Sequence, residues 1–379
     1  MLKKYNETLI FWDIFSGQSL NQKSGIDRYG RELESALLEQ NVAVNHISES
    51  ALFQKPTGES LLNRFIPSRI LNTKIGRIFQ LEVLLKNLKY SSHLDSFIFH
   101  GLSNFNLPHN RKLYDTYRTV ITIHDLIPLI VPKMVSYAST LQLKYCLERI
   151  LPRVARILCD SNWTALSLIE RYPSIKSKVS VIPLGIKPLR LRNFDSIKYT
   201  SAMSLLFVSR FEIYKNFELM VKVLEKLNDS IFHVVTDSRG VTFLSQKASK
   251  FIRNGSLKIY TSISDKELFD LYRSANVYIH PSWLEGFCLP VAEAMSLGVP
   301  IVYREGSAIG EILNENIAIG LNNDNIDDWI QAIRLANRFN FNSKDHFQDS
   351  LMIHFKKLDS WSETAKRVKM VYDELILGK

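Results

Sequence analysis

Short apolar runs alternate along the chain with longer segments whose apolar residues recur every three to four positions. The runs fall at residues 8–14, 43–46, 96–99, 120–123, 156–159 and 179–182, and the series resumes at 204–208, 231–235, 257–259, 277–279 and 300–302. Runs this short and continuously apolar read as strands buried on both faces, and the periodic segments between them as helices. The alternation predicts an α/β protein with two parallel sheets. Between the two series, residues 183–203 (PLGIKPLRLRNFDSIKYTSAM) have two prolines and no clear period, the composition of a linker. The expected domains are residues 1–190 and 191–360, followed at 361–379 by a C-terminal helix free to pack on either, packing back on the first being one of the two arrangements.

Composition supports two packed domains. A chain of 379 residues exceeds what one hydrophobic core usually serves. With 46% hydrophobic and 23% charged residues it lies near the average for soluble globular proteins, which excludes long disorder and fibrous sequence. Three cysteines (Cys146, Cys159 and Cys288) are too few and scattered for a disulfide framework or a paired-cysteine zinc site, and they fit a reducing, cytoplasmic setting. No window reaches 18 uninterrupted apolar residues, so any membrane contact is expected to be peripheral.

Charge is unevenly spread. Residues 1–190 hold 25 basic and 15 acidic side chains, and residues 191–379 hold 23 of each, so the first half carries the whole net charge of +10. That asymmetry points to a partner bearing anionic groups: nucleic acid, anionic lipid or a phosphorylated substrate. Residues 61–89 place Arg64, Arg69, Lys74, Arg77, Lys86 and Lys89 among apolar residues, as in basic amphipathic helices.

Two groups of residues carry the candidate chemistry. Residues 281–298 (PSWLEGFCLPVAEAMSLG) follow a strand, with Gly286 expected to permit a tight loop and Pro290 suited to the first turn of a helix. Glu285 then falls in the loop and Glu293 in the first helical turn, beside backbone N–H groups at the positive end of the helix dipole. Carboxylates accept hydroxyl pairs, so sugar and ribose hydroxyls suit them. Taken alone, Glu285 reads equally well as a solvated loop residue and Glu293 as a complement to the dipole. The second group is Arg210 and Lys215, at the carboxyl end of the first strand of the second sheet, where open α/β sheets bind ligands. Two cations there can clamp a diphosphate, although either alone reads as an ordinary surface residue.

These residues resemble the retaining GT-B glycosyltransferases of family 4, the bacterial mannosyltransferase-like group. The resemblance rests on R-x4-K-N at 210–216, SDKELFDLYRSANVYIHPS at 264–282 and E-x7-E at Glu285 and Glu293. The first half adds SGIDRY at 24–29, TIHDLIPL at 122–129, CDSNWT at 159–164 and VIPLGI at 181–186. It implies GT-B architecture, with two Rossmann-like domains facing across a cleft. Arg210 and Lys215 would hold the donor diphosphate and Glu293 the ribose. Glu285 would face the transferred sugar, with Gly286 and the N–H groups of Phe287, Cys288 and Leu289 nearby. Gly25 would let the first-domain backbone approach the diphosphate, Ile263 would lie near the base, and His124 corresponds to the family's active-site histidine. Cys288 departs from the family, which usually has glycine there.

The resemblance implies transfer of a hexose, with retention, from a nucleoside-diphosphate sugar to a glycan or polyprenyl-diphosphate-linked acceptor in surface polysaccharide assembly. GDP-mannose is the first expectation for the donor and a UDP-sugar the second. A GT-B epimerase or phosphorylase and a non-catalytic nucleotide-binding protein are the alternatives. No cofactor or metal is expected: the chain has no D-x-D, and its own cations would face the diphosphate. A Rossmann dehydrogenase is excluded, because no G-x-G-x-x-G follows a strand. With the first half as acceptor domain, nucleic acid falls away as a partner, and residues 61–89 are expected to meet anionic lipid at the inner face of the cytoplasmic membrane or a lipid-diphosphate acceptor.

Overall fold

A parallel strand cannot return by a tight turn, so each strand is followed by a crossover, and the alternating pattern becomes two helix-flanked sheets. The computed structural model describes residues 9–12, 25–42, 44–46, 98–104, 107, 114–115, 118–187, 202–313, 318–342, 354–355 and 358–377. The basic segment 61–89 lies outside these.

The first sheet contains β1 (Leu9–Trp12), β2 (Asn45–His46), β3 (Ile98–Gly101), β4 (Arg118–Ile123), β5 (Arg156–Cys159) and β6 (Val179–Val181), in the order β2-β1-β3-β4-β5-β6. The second contains β7 (Met203–Val208), β8 (Ser230–Val235), β9 (Leu257–Tyr260), β10 (Val277–His280), β11 (Ile301–Arg304) and β12 (Ala318–Leu321), in the order β12-β11-β10-β7-β8-β9. Every described pairing is parallel. The second sheet starts at β7, adds β8 and β9 on one side, then returns to β10 on the other. Its order reverses between β7 and β10, and an open sheet leaves a crevice at the carboxyl ends of such a pair.

The differences from the expected strands have local causes. β3 runs to Gly101 and β10 to His280, past the apolar runs, because His100 and His280 are buried with partners for their ring nitrogens. β12 has no counterpart among the expected strands: AIGL contains a glycine, and of its four residues only Ala318 is fully buried.

The chain divides into two compact units, one of Met1–Ile130, Ser136–Gly185 and Trp361–Lys379, the other of Val131–Val135 and Ile186–Ser360. The first packs Ile121, Ile123 and Ile157 against Leu147 and Leu168. The second packs Phe207 and Phe232 against Phe217 and Leu224 of the helix Phe217–Lys226, and Trp329 and Ile333 of the helix Ile326–Asn342. None of the described helices is long and apolar enough to cross a membrane.

The helix Trp361–Leu377 is part of the first unit. It buries Trp361, Val368 and Tyr372, and Thr364 Oγ1 donates to the Pro183 carbonyl at 2.9 Å. Gly185 is the point of closest approach: a Cβ there would stand 2.4 Å from both N and Cα of Trp361. Backbone cannot swing aside as a flexible side chain would, so Gly185→Ala is expected to cost about 1–3 kcal/mol, the range for overpacking. Urea denaturation of the full chain checks this, and an unchanged midpoint would show that the helix adjusts freely.

Candidate active site

The reversal between β7 and β10 brings together two loops. Register places Tyr278 of β10 beside Leu206 of β7, so both strands end at the same level. The Trp283 N–H donates to the Tyr214 carbonyl at 2.9 Å, tying the loop after β10 to the loop after β7, and Ser282 Oγ donates to the Leu284 carbonyl at 2.9 Å within the former. Asn216 ends the loop after β7 in the left-handed conformation (φ 55°), and its Oδ1 caps the helix Phe217–Lys226 by accepting from the Leu219 N–H.

Lys215 and Glu285 meet across these loops. Lys215 Nζ lies 2.5 Å from Glu285 Oε1, and His280 Nε2 lies 2.7 Å from the same oxygen. Glu285 is buried, and burial raises the pKa of a carboxyl. The Lys215 ammonium and the His280 hydrogen bond overcome that and hold Glu285 down at about 2. Burial lowers the His280 pKa, against the pull of Glu285, leaving a neutral ring whose Nε2–H donates to the carboxylate. Tyr278 stacks on His280, and its hydroxyl has two acceptors for one proton: His280 Nδ1 at 3.3 Å and the Val208 carbonyl at 3.4 Å.

Of the residues singled out from the sequence, Lys215, Glu285 and Cys288 come together with His280. Arg210 lies at the carboxyl end of β7, exposed, its guanidinium with no partner among the described residues. Gly286 and Phe287 are buried in the loop, Leu289 opens the helix Leu289–Ser296, and Ile263 follows β9, half-buried. Two local expectations are corrected. Glu293 is the fifth helical residue, because the helix starts at Leu289; it is buried in the second turn, and the first turn has no acid. The left-handed residue of the loop is Cys288 (φ 84°, ψ 73°) and not Gly286. Its Cβ occupies a backbone conformation that glycine adopts without strain. Pro290 does sit in the first turn.

The first unit has its own polar cluster, at the carboxyl ends of β3, β4 and β5. Register pairs Ile123 with Cys159, which puts the next residues, His124 and Asp160, side by side. His124 Nδ1 lies 2.5 Å from Asp160 Oδ2, and Nε2 lies 2.7 Å from the Leu102 carbonyl. A carboxylate and a carbonyl only accept, so both ring nitrogens carry protons and His124 is an imidazolium. Burial opposes that charge, but Asp160 raises the pKa above its ordinary value. The segment CDSNWT thereby acquires local roles. Asp160 holds His124, Ser161 caps the helix Asn162–Arg171, and Thr164 Oγ1 donates to the His124 carbonyl at 3.2 Å. Asp125 caps the next turn by accepting from the Ile127 N–H. Gly25 opens the helix Gly25–Glu39, exposed, and a Cβ there would meet no described atom within 4 Å.

His280, Tyr278 and Asp160 escape the sequence reading as site residues, although they lie inside the motifs at 264–282 and 159–164. The available signal is spacing: Tyr278 and His280, two apart on a strand, share a face.

Residues 23–190 match the family described as Glycosyltransferase Family 4, and residues 193–344 match Glycosyl transferases group 1. A phosphatidylinositol N-acetylglucosaminyltransferase polypeptide of Arabidopsis thaliana is 21% identical over 316 residues, 82% of this chain and 68% of that one. O-antigen chain mannosyltransferase B of Escherichia coli is 23% identical over 239 residues, 58% of this chain and 60% of that one, so this chain spans about three fifths of that relative's length. Among solved structures, sucrose-phosphate synthase from Thermosynechococcus elongatus superposes with a TM-score of 0.74 at 16% identity, over 98% of this chain and 100% of that one.

The two charged clusters respond oppositely to pH. Glu285 has a depressed folded pKa, so its contribution to stability is complete above about 4.5 and is lost as pH falls toward about 2. His124 has a raised one, so its contribution is complete below 6.5 and is lost as pH rises through the folded value. Denaturant unfolding across the acid window is expected to show Glu285→Gln losing less stability than the parent protein, and parallel losses would contradict the pairing.

Proposed function

The chain belongs to the GT-B glycosyltransferases, a Family 4 domain followed by a group 1 domain, and on that premise we propose that it transfers a hexose, with retention at the anomeric carbon, from a nucleoside-diphosphate sugar to a hydroxyl of a glycan or lipid-linked acceptor. The observation that carries this reading is the Lys215–Glu285–His280 group at the point where the second sheet reverses its order.

When the glycosidic bond breaks, the leaving diphosphate gains negative charge. Cations fixed beforehand stabilise that charge without reorganising. Lys215 suits the role because Glu285 engages one of its three N–H donors and fixes the ammonium, which also lies 5.2 Å from the Tyr214 ring centre. Arg210, exposed at the same strand end, supplies the second cation. The N–H groups of Phe287, Cys288 and Leu289 lie at the positive end of the helix that carries Glu293 one turn later, where ribose hydroxyls reach it. Ile263 lies near the base. Glu285, held ionised by its two donors, accepts hydroxyls of the transferred sugar and keeps them oriented. A carboxylate engaged by a lysine and a histidine is a poor nucleophile, so retention proceeds on one face of the sugar, with a phosphate oxygen taking the acceptor proton.

His124 enters this scheme as a fixed cation and not as a base, because its ring has no lone pair left to accept a proton. The chemistry requires no cofactor and no catalytic metal, since protein cations face the leaving group.

GDP-mannose is the first candidate donor, in keeping with the O-antigen mannosyltransferase likeness, and UDP-N-acetylglucosamine the second, in keeping with the phosphatidylinositol N-acetylglucosaminyltransferase likeness. The reading includes a cytoplasmic protein docked on anionic lipid through the basic segment 61–89, which its run of basic residues among apolar ones supports. Co-sedimentation is expected to be stronger with anionic than with neutral vesicles and to fall when Arg64, Arg69, Lys74 and Arg77 are neutralised. Equal binding to both vesicles would remove the docking role.

Thermal shift against GDP, UDP, ADP and dTDP and their sugars identifies the donor, because a ligand stabilises by RT ln(1 + [L]/Kd). With that donor, Lys215→Ala and Arg210→Ala are each expected to lower kcat about 10²–10³-fold, the usual loss for one transition-state donor. Near-normal turnover by Lys215→Ala would overturn the assignment.

A further inference from the structure

Cys288 places a side chain where the backbone favours none, and strain of this kind persists where the surroundings over-determine it, often at functional sites. Its Sγ lies 3.4 Å from His280 Nε2, the nitrogen that lies 2.7 Å from Glu285 Oε1. One ligand atom from each of the three residues falls within 4.8 Å of the others, and all three residues are buried. We propose that His280, Glu285 and Cys288 form a binding site for a soft divalent cation of the zinc class, which takes Glu285 from Lys215 and so competes with the sugar nucleotide; only the competition rests on the function proposed above.

The donor set of one thiolate sulfur, one imidazole nitrogen and one carboxylate oxygen is a borderline-soft set suited to zinc, and three protein ligands leave a fourth position open. Zinc bonds of about 2.3 Å to sulfur and about 2.0 Å to nitrogen put those two atoms about 3.5 Å apart in a tetrahedron. The present separation of 3.4 Å already matches. The nitrogen and the carboxylate oxygen have to part by about half an ångström, as the proton between them gives way to the metal.

Proton positions support the same site. Coordination needs the Cys288 thiolate, so the thiol proton leaves to solvent, and it needs the lone pair of His280 Nε2, so the ring proton moves to Nδ1. There the Tyr278 hydroxyl is 3.3 Å away, free to accept from Nδ1–H while donating its own proton to the Val208 carbonyl at 3.4 Å. In the metal-free protein one hydroxyl proton faces two acceptors; with metal on Nε2 that competition ends, because Nδ1 has become a donor. A second partner of this kind on the far ring nitrogen is the usual support of a metal-bound histidine. Lys215 competes for Glu285, which makes the site weaker than a closed structural zinc site and lets the metal exchange. Its action is inhibitory: the carboxylate that orients the sugar and fixes Lys215 is occupied.

The test is a zinc titration of the full chain against a colour-forming chelator, with cobalt(II) as a spectroscopic substitute. The parent protein is expected to take up one equivalent and to show thiolate-to-cobalt charge-transfer absorption. Cys288→Gly, which relieves the left-handed backbone and so folds, and Cys288→Ser are expected to bind at least tenfold more weakly and to lack that absorption. A saturating nucleoside-diphosphate sugar, the one identified by thermal shift on metal-free protein, is expected to weaken uptake at least tenfold beyond the zinc it binds itself in a protein-free control. Equal uptake by the parent and Cys288→Gly, or uptake through Cys288 that the bound nucleotide leaves unchanged, overturns the proposal. Failure of every nucleotide to bind the metal-free protein counts instead against the glycosyltransferase reading, whatever the zinc titration shows.

Discussion

A buried carboxylate must be neutralised where it stands, and the second unit is arranged around that requirement. Glu285 lies 2.5 Å from the Lys215 ammonium and 2.7 Å from His280 Nε2, and the ammonium comes from a residue far from it in sequence. Lys215 follows β7 and His280 ends β10, so the compensation exists only because those strands are neighbours. Burying a pair of charges gains little over apolar packing, but stranding one of them costs about 3–5 kcal/mol. The arrangement therefore tolerates no half measures: the left-handed Asn216, the bond between the two loops and the register of β7 with β10 all bear on whether the charges meet.

The first unit solves the same problem with the sign reversed. There the charge is the part-buried His124 imidazolium, and the groups that accept from it are the buried Asp160 carboxylate and the Leu102 carbonyl. Nearby, His100 stays neutral, its pKa lowered to about 3 by burial and by His124, and its two nitrogens are taken by Tyr372 and Thr122. Two histidines within one cluster are thus held in opposite protonation states. The difference lies in what faces them: hydroxyls in one case, a carboxylate and a carbonyl in the other.

Most of the fold is legible in the sequence because buried parallel strands are short apolar runs, a pattern that needs no partner to be recognised. Reading stops where polar side chains are buried with partners that the sequence does not name. His100 and His280 lie in strands that hydropathy truncates, and β12 hides a glycine in an edge strand. Of the candidate site, Lys215 and Glu285 are singled out in the sequence and meet in the structure. Their connection is illegible: the resemblance assigns them to separate ligands, yet they hold each other. The start of the helix at Leu289, which moves Glu293 into the second turn, depends on the left-handed backbone of Cys288, a conformation no sequence rule assigns to cysteine.

The helix Trp361–Leu377 belongs to the first unit although its residues come after the whole second unit in the chain. On a ribosome that order has a cost. Domains usually complete themselves as they emerge, amino-terminal first. Here the leading unit waits, with Gly185 and the His100 ring uncovered, until residues 361–377 have been made, and the second unit can finish folding before the first. Until that helix is made, the surfaces of the first unit that it covers have no partner within the chain.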